Sequence, residues 1–376
     1  MTHPKSSLLR YGVGALVTGL AFLLILALEA VLQPDYPGHI ASPLFLLAVV
    51  VSAWYGGKGP GLFSAALSYL ALDWSFLPPV YSLDPGWKDI PLAGLYLLAA
   101  VVISTLVRKR RWAEHIARKS QERMQIARKI QECLLPVGPT NLPAFDIAGT
   151  SHSAEATGGD YFDFIPMRNG RIGIVVGDVS GHDFGSALLM SEVRAYLRAL
   201  VLVHDDVSDI LTRTNAFLVE DTDDFTFVTL FFACLDLHNR SLLYAGAGHE
   251  GILLDATGRQ ERLRSTSIPL GLEKDLVVAC APAKDLEPEQ VVLLTSDGIT
   301  EALSPGGERF GMERTIDVIS GHRDKSAREM IDLLCQAVRV FSHGMPPEDD
   351  MTAVILKVKP KSQPLGFGNQ SHLGES

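Results

Sequence analysis

The chain has few cysteines, and their spacing rules out the structural roles that cysteine most often plays. Only four occur in 376 residues, at positions 133, 234, 280 and 335, and no two form a CxxC pair. This spacing excludes a disulfide framework and is typical of reduced thiols in a cytoplasmic domain. Histidines do not cluster with them, so zinc is not expected.

Positive charge is scarce in most of the chain. Residues 113–376 carry 25 Lys and Arg against 38 Asp and Glu, whereas residues 1–112 carry 8 against 5. The acidic part lacks the clustered cations that bind phosphate backbones, so nucleic acid is not expected as a partner. Charged residues make up only 20% of the chain and hydrophobic residues 47%, a balance that indicates a membrane part.

Four apolar segments precede the acidic part, at residues 11–32, 41–55, 60–77 and 90–107. The first is long enough to cross a hydrocarbon core of about 30 Å. A secretory signal peptide is the rival interpretation of that segment. No small-residue cleavage site follows it cleanly, however, and further apolar segments come next. The sequence therefore predicts four transmembrane helices.

Basic residues lie on one side of these predicted spans. Lys5 and Arg10 precede the first span, Lys58 lies between the second and third, and RKRRW (108–112) follows the last. By the positive-inside rule, both termini are cytoplasmic. The run from WYGGKGPG to DWSFLPP resembles the four-helix membrane module of KdpD-type sensor kinases. We expect a multi-pass protein of the bacterial cytoplasmic membrane, with residues 1–107 as a sensor-like module.

A helical linker is predicted after the last span. Residues 108–135 contain no Gly or Pro and are rich in helix formers. Apolar and small residues follow a weak 4-3 spacing along it. Two interpretations remain open: a coiled coil that would make the protein a homodimer, or a solvated helix that leads into the next domain.

The stretch GGDYF (158–162) differs by one residue from GGDEF, the signature of cyclic-dinucleotide cyclases. Those enzymes need a carboxylate at the position that Tyr161 occupies here. A tyrosine is a protonated phenol at neutral pH. A cyclase is therefore the less favoured alternative.

Acidic residues recur at the ends of predicted strands. Asp160 lies in GGDYF, Asp178 follows the run RIGIVV, Asp297 follows QVVLLTS, and Asp349 and Asp350 precede MTAVILKV. Grouped carboxylates of this kind would form an oxygen-rich pocket, which suits Mg²⁺ or Mn²⁺.

A set of short motifs, in this order, resembles the SpoIIE/RsbU-type branch of the PPM family of metal-dependent serine/threonine protein phosphatases. The matching runs are ARKIQECLLP, GGDYFDF, GDVSGH, ALLM, AGH, PLGL, TSDGITEA, GERFG and DDMT. The resemblance implies an α+β domain over residues 136–360, in which two antiparallel β-sheets pack face to face with helices outside. The polar tail, 361–376, is predicted to be disordered.

The pattern within that domain agrees with such a fold. Strands are predicted at 171–177, 227–236, 241–247, 251–255, 290–296 and 351–358. Helices are predicted at 184–203, 207–220, 312–320 and 326–341.

The resemblance also implies roles for individual residues. Asp178 would bridge two Mn²⁺ or Mg²⁺ ions and, with Asp297, carry catalysis. The other metal ligands would be Asp160, the Val179 carbonyl, Asp297, and Asp349 or Asp350. His182 is either a general acid or a residue that shapes its loop. A regulatory switch is expected in the ARKIQECLLP helix, at Ile130, Gln131, Leu134 and Leu135.

The function that the resemblance implies is a membrane-anchored protein serine/threonine phosphatase. Its expected substrate is a phosphorylated partner-switching regulator, such as a STAS-type anti-sigma-factor antagonist. A catalytically inactive signalling scaffold is the main alternative. A sensor kinase is disfavoured, because neither a phosphorylatable-histidine helix nor a glycine-rich nucleotide lid follows the membrane part.

Overall fold

The computed structural model describes residues 7–32, 38–76, 80–81, 90–136, 142–181, 184–222 and 226–360. The chain divides into two units, residues 1–122 and 123–376. The predicted disordered tail, 361–376, lies outside the described residues.

The first unit is helical. Its helices are α1 (Ser7–Leu32), α2 (Gly38–Gly56), α3 (Lys58–Phe76) and the first part of α4 (Ile90–Leu134). Rings of Phe22, Phe45 and Phe76 pack against one another in the core. Each predicted span lies largely within one of these helices, and α4 runs without a break from the fourth span to Leu134.

This unit differs from a water-soluble bundle because apolar side chains cover its outside as well as its core. Leucines on all four helices face outward, among them Leu23, Leu47, Leu70 and Leu98. Hydroxyl groups are buried as well: Thr18 hydrogen-bonds Ser64 at 2.8 Å, and Ser52, Ser68 and Ser104 are also buried. By length and hydropathy, one of the described helices, over Leu8–Val31, meets the requirement for crossing a membrane. The four-span arrangement stays a prediction.

The second unit contains two five-stranded sheets. One has the order β1-β10-β9-β6-β7, formed by Phe145–His152, Met351–Val358, Val291–Thr295, Gly251–Leu254 and Gln260–Leu263. The other has the order β2-β3-β4-β5-β8, formed by Tyr161–Pro166, Arg171–Val179, Val228–Asp236, Ser241–Ala247 and Lys284–Asp285. Neighbouring strands in both sheets pair antiparallel.

The sheets pack face to face, and helices cover their outer faces. The inner core takes apolar residues from both sheets, including Phe162, Phe231 and Leu356. Helices α5 (Phe184–Val201) and α6 (Val207–Asp221) cover the second sheet. Helices α8 (Gly311–Gly321) and α9 (Ala327–Phe341) cover the first, after the short α7 (Asp297–Thr300). The prediction of two antiparallel sheets flanked by helices is therefore confirmed.

The predicted strands and helices of this unit all occur, with ends shifted by at most two residues. Four strands were not predicted: β1, β2, β7 and β8. β7 and β8 are short and polar, and β1 and β2 each contain an aspartate, so none shows a long apolar run.

Candidate metal centre

The predicted acidic residues lie at strand ends belonging to both sheets. Asp178 is the next-to-last residue of β3, in the second sheet. Asp297 begins α7 directly after β9, and Asp349 and Asp350 precede β10, in the first sheet. Because the sheets pack face to face, these ends meet at one edge of the sandwich.

Asp178 lies among like charges. Burial, followed by the nearby carboxylates of Asp297, Asp349 and Asp350, raises the pKa of Asp178 to about 7. Partial burial and Asp349 likewise raise the pKa of Asp297. Carboxylates that disfavour one another's ionisation form a site where a cation would be stabilised.

Asp160 is buried just before β2, with 4% of its surface exposed. Burial, and then the charge of Asp178, raise its pKa well above the usual range. Among the described residues, its Oδ2 atom has no hydrogen-bond partner although it is shielded from solvent. A buried, unsatisfied carboxylate oxygen is costly unless something binds it.

The structure distinguishes Asp350 from Asp349. The Asp350 carboxylate accepts hydrogen bonds from the backbone N–H groups of Ala154 (2.8 Å) and Asp160 (3.3 Å). It is buried, whereas Asp349 is exposed on a cavity wall. Asp350 therefore holds the loop before β2 in place. Asp349 accepts one backbone hydrogen bond, from the Asp350 N–H at 2.8 Å, so its carboxylate is the freer of the two.

Two glycines allow these segments to approach closely. A Cβ at Gly158 would lie 2.0 Å from Asp350 Oδ2, and a Cβ at Gly298 would lie 2.1 Å from the Asp350 carbonyl oxygen. Any side chain at either position would push the acidic segments apart. Gly159 has the same function beside the Val179 carbonyl, because its Cβ would lie 2.8 Å from that oxygen.

A cavity of about 250 Å³ opens beside Asp178 and Asp297. His249 lines it, with Nδ1 at 3.4 Å from the Thr229 hydroxyl. Burial lowers the pKa of His249 to about 4, so its ring is neutral at pH 7 and has one N–H donor and one acceptor nitrogen. His182, the predicted general-acid candidate, lies outside the described residues.

Tyr161, the residue that separates GGDYF from GGDEF, packs under α5 and α6. Its hydroxyl donates to Asp163 Oδ2 at 2.8 Å. Asp163 is fully buried and accepts two hydrogen bonds from Arg198 on α5, at 2.6 and 2.7 Å. Asp163 thus fixes α5 to β2.

Arg198 was not singled out from the sequence, although a signal exists. Arg194 and Arg198 lie on the same face of α5 as the buried Met190 and Val201. Basic residues on an apolar helix face indicate a buried partner of opposite charge.

The predicted switch residues differ in their surroundings. Gln131 is buried, and its side chain makes two hydrogen bonds to Gly158: Nε2 donates to the carbonyl at 2.6 Å, and Oε1 accepts from the N–H at 3.1 Å. Leu135 packs against the inter-sheet core. Leu134 is half-buried, and Ile130 is exposed.

The donor set fits a divalent cation by its chemistry. Within the described part of the chain, no three His, Cys, Asp or Glu side chains already have the spacing of a formed metal site. The unsatisfied Asp160 oxygen and the raised pKa of Asp178 nevertheless indicate where positive charge is needed. Hard oxygen donors of this kind suit Mg²⁺ or Mn²⁺.

Comparison with known families gives two matches. Residues 168–359 match the family described as Stage II sporulation protein E (SpoIIE). Residues 11–124 match a domain of unknown function, DUF4118.

Among curated proteins, the chain is similar to Protein IcfG of Synechocystis sp., with 25% identity over 259 residues. That match covers 61% of this chain and 40% of IcfG. Phosphoserine phosphatase RsbU of Bacillus subtilis is 27% identical over 248 residues, which cover 65% of this chain and 72% of RsbU. The chain thus spans less than half of IcfG and nearly three quarters of RsbU.

Among solved structures, the SiaA-PP2C domain of Pseudomonas aeruginosa superposes with a TM-score of 0.58 at 21% identity. It covers 65% of this chain and 99% of that domain. The PP2C phosphatase domain of SpoIIE from Bacillus subtilis gives a TM-score of 0.51 at 19% identity, covering 58% of this chain and 64% of that structure. Both likenesses concern the fold.

Proposed function

Because this chain belongs to the SpoIIE family and carries a PP2C-type phosphatase domain, we propose that it is a metal-dependent protein serine/threonine phosphatase. The observation that carries the proposal is the group of carboxylates around Asp178, whose mutual repulsion adds to burial in raising the pKa of Asp178 to about 7. Such a group would be unfavourable in a protein that never bound cations.

The residues that would hold the metals follow from their positions. Asp178 would bridge two Mn²⁺ or Mg²⁺ ions, with Asp160, the Val179 carbonyl and Asp297 as further ligands. We propose Asp349 as the ligand of the Asp-Asp pair, because the Asp350 carboxylate is already engaged by the backbone of residues 154 and 160.

Divalent ions bound there supply an activated water and compensate the charge of the phosphoryl group. The remaining roles in the reaction would fall to side chains of the protein. The carboxylates of Asp178 and Asp297 would hold the ions at this edge of the sandwich. The neutral ring of His249 can hydrogen-bond a group that enters the cavity. His182 stays a candidate for proton transfer to the leaving seryl oxygen, with a loop-shaping role as the alternative.

Membrane anchoring is the second element of the proposal. Outward-facing leucines and buried hydroxyls on α1 to α4 support four membrane-spanning helices over residues 1–107, with both termini in the cytoplasm. The linker, 108–135, would then connect them to a phosphatase domain over 136–360. Dimerisation through this linker is part of the same hypothesis.

The proposed substrate is a phosphoserine or phosphothreonine on a partner-switching regulator, such as a STAS-type antagonist. Support comes from the similarity to a protein named phosphoserine phosphatase RsbU. An inactive scaffold is the alternative, and the accumulated negative charge at the candidate site argues against it.

The test is phosphate release by the full-length protein in lipid nanodiscs, from a STAS-domain protein phosphorylated on serine. We expect turnover that requires Mn²⁺ or Mg²⁺ and is abolished by EDTA. Folded protein that releases no phosphate at any metal concentration would contradict the phosphatase and favour the scaffold.

Regulation through the linker helix is proposed from the Gln131 contact. Its two hydrogen bonds hold Gly158, and Gly158 lies against the Asp350 carboxylate. Movement of this part of α4 would therefore displace the loop that carries Asp160.

Replacing Gln131 with Leu is expected to raise the Mn²⁺ concentration needed for half-maximal activity about tenfold. Two buried hydrogen bonds are lost, each worth about 1 kcal/mol, and the Asp160 loop loses its support. The measurement is a Mn²⁺ titration of phosphate release. Gln125→Leu is the matched control, because Gln125 is exposed on the same helix. Equal metal requirements in the two variants would contradict the proposal.

A further inference from the structure

A second cavity, of about 940 Å³, lies next to the candidate metal centre. Asp349 and Gly298, the neighbour of Asp297, form one end of it. The C-terminal part of α9 and the loop that follows it form the opposite side. We call this space the α9 cavity. A molecule bound in it would extend directly from the metal-binding edge.

The walls of the α9 cavity are partly apolar and partly charged. Leu303, Met345, Pro346 and Pro347 supply apolar surface. Side chains of this kind accept an apolar residue from an extended peptide. The cavity is larger than a phosphate group needs, so it has room for residues on either side of a phosphorylated one.

Arg339 is the distinctive charge in this cavity. It is exposed, and among the described residues its guanidinium makes no ion pair or hydrogen bond. Arg309 lines the same space but is neutralised by Glu301 at 2.6 Å. Burial, aided by the charge of Arg339, lowers the pKa of neighbouring His152, so His152 adds no positive charge at neutral pH. Within the described part of the chain, Arg339 is therefore the free cation of this cavity, and Glu348 on the same wall carries the opposite charge.

We propose that the α9 cavity docks the segment that flanks the phosphoserine of the partner protein, and that Arg339 selects an acidic side chain in that segment. This inference rests on the proposed phosphatase function. Its support is the continuity of the cavity with Asp349 and the unpaired charge of Arg339. A partner segment in extended conformation would place its phosphate at the candidate metal centre and its acidic side chain beside Arg339 on α9.

The probes are fluorescein-labelled decapeptides with a non-hydrolysable phosphonate in place of phosphoserine and a single Glu, Ala or Lys at each flanking position. Binding to full-length protein with Mn²⁺ is measured by fluorescence anisotropy, which does not depend on turnover. We expect Glu at one or more positions to be preferred over Lys by about tenfold in Kd, which is about 1.4 kcal/mol.

Arg339→Glu is expected to reverse that preference. Arg328→Glu is the matched control, because Arg328 is an exposed arginine on α9 that pairs with Asp332 and does not line the cavity. An unchanged preference in Arg339→Glu, or no preference in the wild type, would overturn the docking proposal. Turnover of p-nitrophenyl phosphate by the wild type tests the phosphatase separately. A preference that reverses without any turnover would support docking and contradict catalysis.

Discussion

Replacing Asp178 with Asn is expected to lower kcat/KM for a phosphoserine substrate by at least about 1,000-fold, the scale of losing a central electrostatic group. The amide is nearly the same size as the carboxylate but cannot bridge two cations. Metal affinity, measured by calorimetry with Mn²⁺, should fall in parallel.

The same substitution should make the metal-free protein more stable. The folded-state pKa of Asp178, about 7, lies above its ordinary value. Its ionisation therefore costs the folded state stability as pH rises from the ordinary pKa of an aspartate to about 7. The neutral amide of the Asp178→Asn variant removes this cost, so the metal-free unfolding temperature at pH 8 should rise by a few degrees.

These two results together separate a functional from a structural role. A structural aspartate would lose both activity and stability on substitution. Asp178→Asn with lower metal-free stability, or with retained Mn²⁺ affinity, would contradict the assignment of Asp178 as the bridging ligand. Asp317→Asn, on the exposed surface of α8, is the control.

Replacing Arg198 with Ala is expected to destabilise the packing of α5 on β2 by about 3 kcal/mol. The change leaves the fully buried Asp163 carboxylate with the Tyr161 hydroxyl and with Arg194 at 3.8 Å. A buried charge that loses its bidentate partner is far more costly than a broken surface pair.

Hydrogen–deuterium exchange of the full-length protein measures this effect locally. Amides of α5 and β2 should exchange about 100-fold faster, the kinetic equivalent of about 3 kcal/mol of local opening. Arg213→Ala removes an exposed pair with Asp209 at 2.8 Å and should leave exchange almost unchanged. Similar exchange in both variants would show that Asp163 does not depend on Arg198.

The elements predicted best from the sequence were those with long apolar runs. β3 and β10 are buried on both faces and consist mostly of apolar residues, so both were predicted with ends within two residues of the observed ones. β1, FDIAGTSH, and β2, YFDFIP, carry acidic residues and lack such a run, and only pairing with β10 and β3 makes them strands. Whether such segments form strands depends on the strands that pair with them.

The candidate site, too, could be predicted from the sequence only in part. Asp178, Asp297, Asp349 and Asp350 could be picked out because each lies next to a recognisable strand. Asp160 was found because it lies in GGDYF. The sequence could not separate Asp349 from Asp350, since that depends on which carboxylate meets the backbone of residues 154 and 160. Arg198 and Arg339 were missed for a similar reason, because the role of an arginine on a helix depends on the residues that face it in the folded protein.

Because β1 pairs along its whole length with β10, the proposed phosphatase activity cannot arise before this last strand has been synthesised. The first sheet lacks the strand between β1 and β9 until Met351–Val358 has left the ribosome. The proposed ligands Asp160 and Asp349 are separated by most of the domain, so a nascent chain cannot assemble the site. Contacts between segments so distant in sequence are slow to form. A message truncated before codon 351 would yield a product with unpaired apolar strands, a substrate for quality-control proteases and not a stray phosphatase.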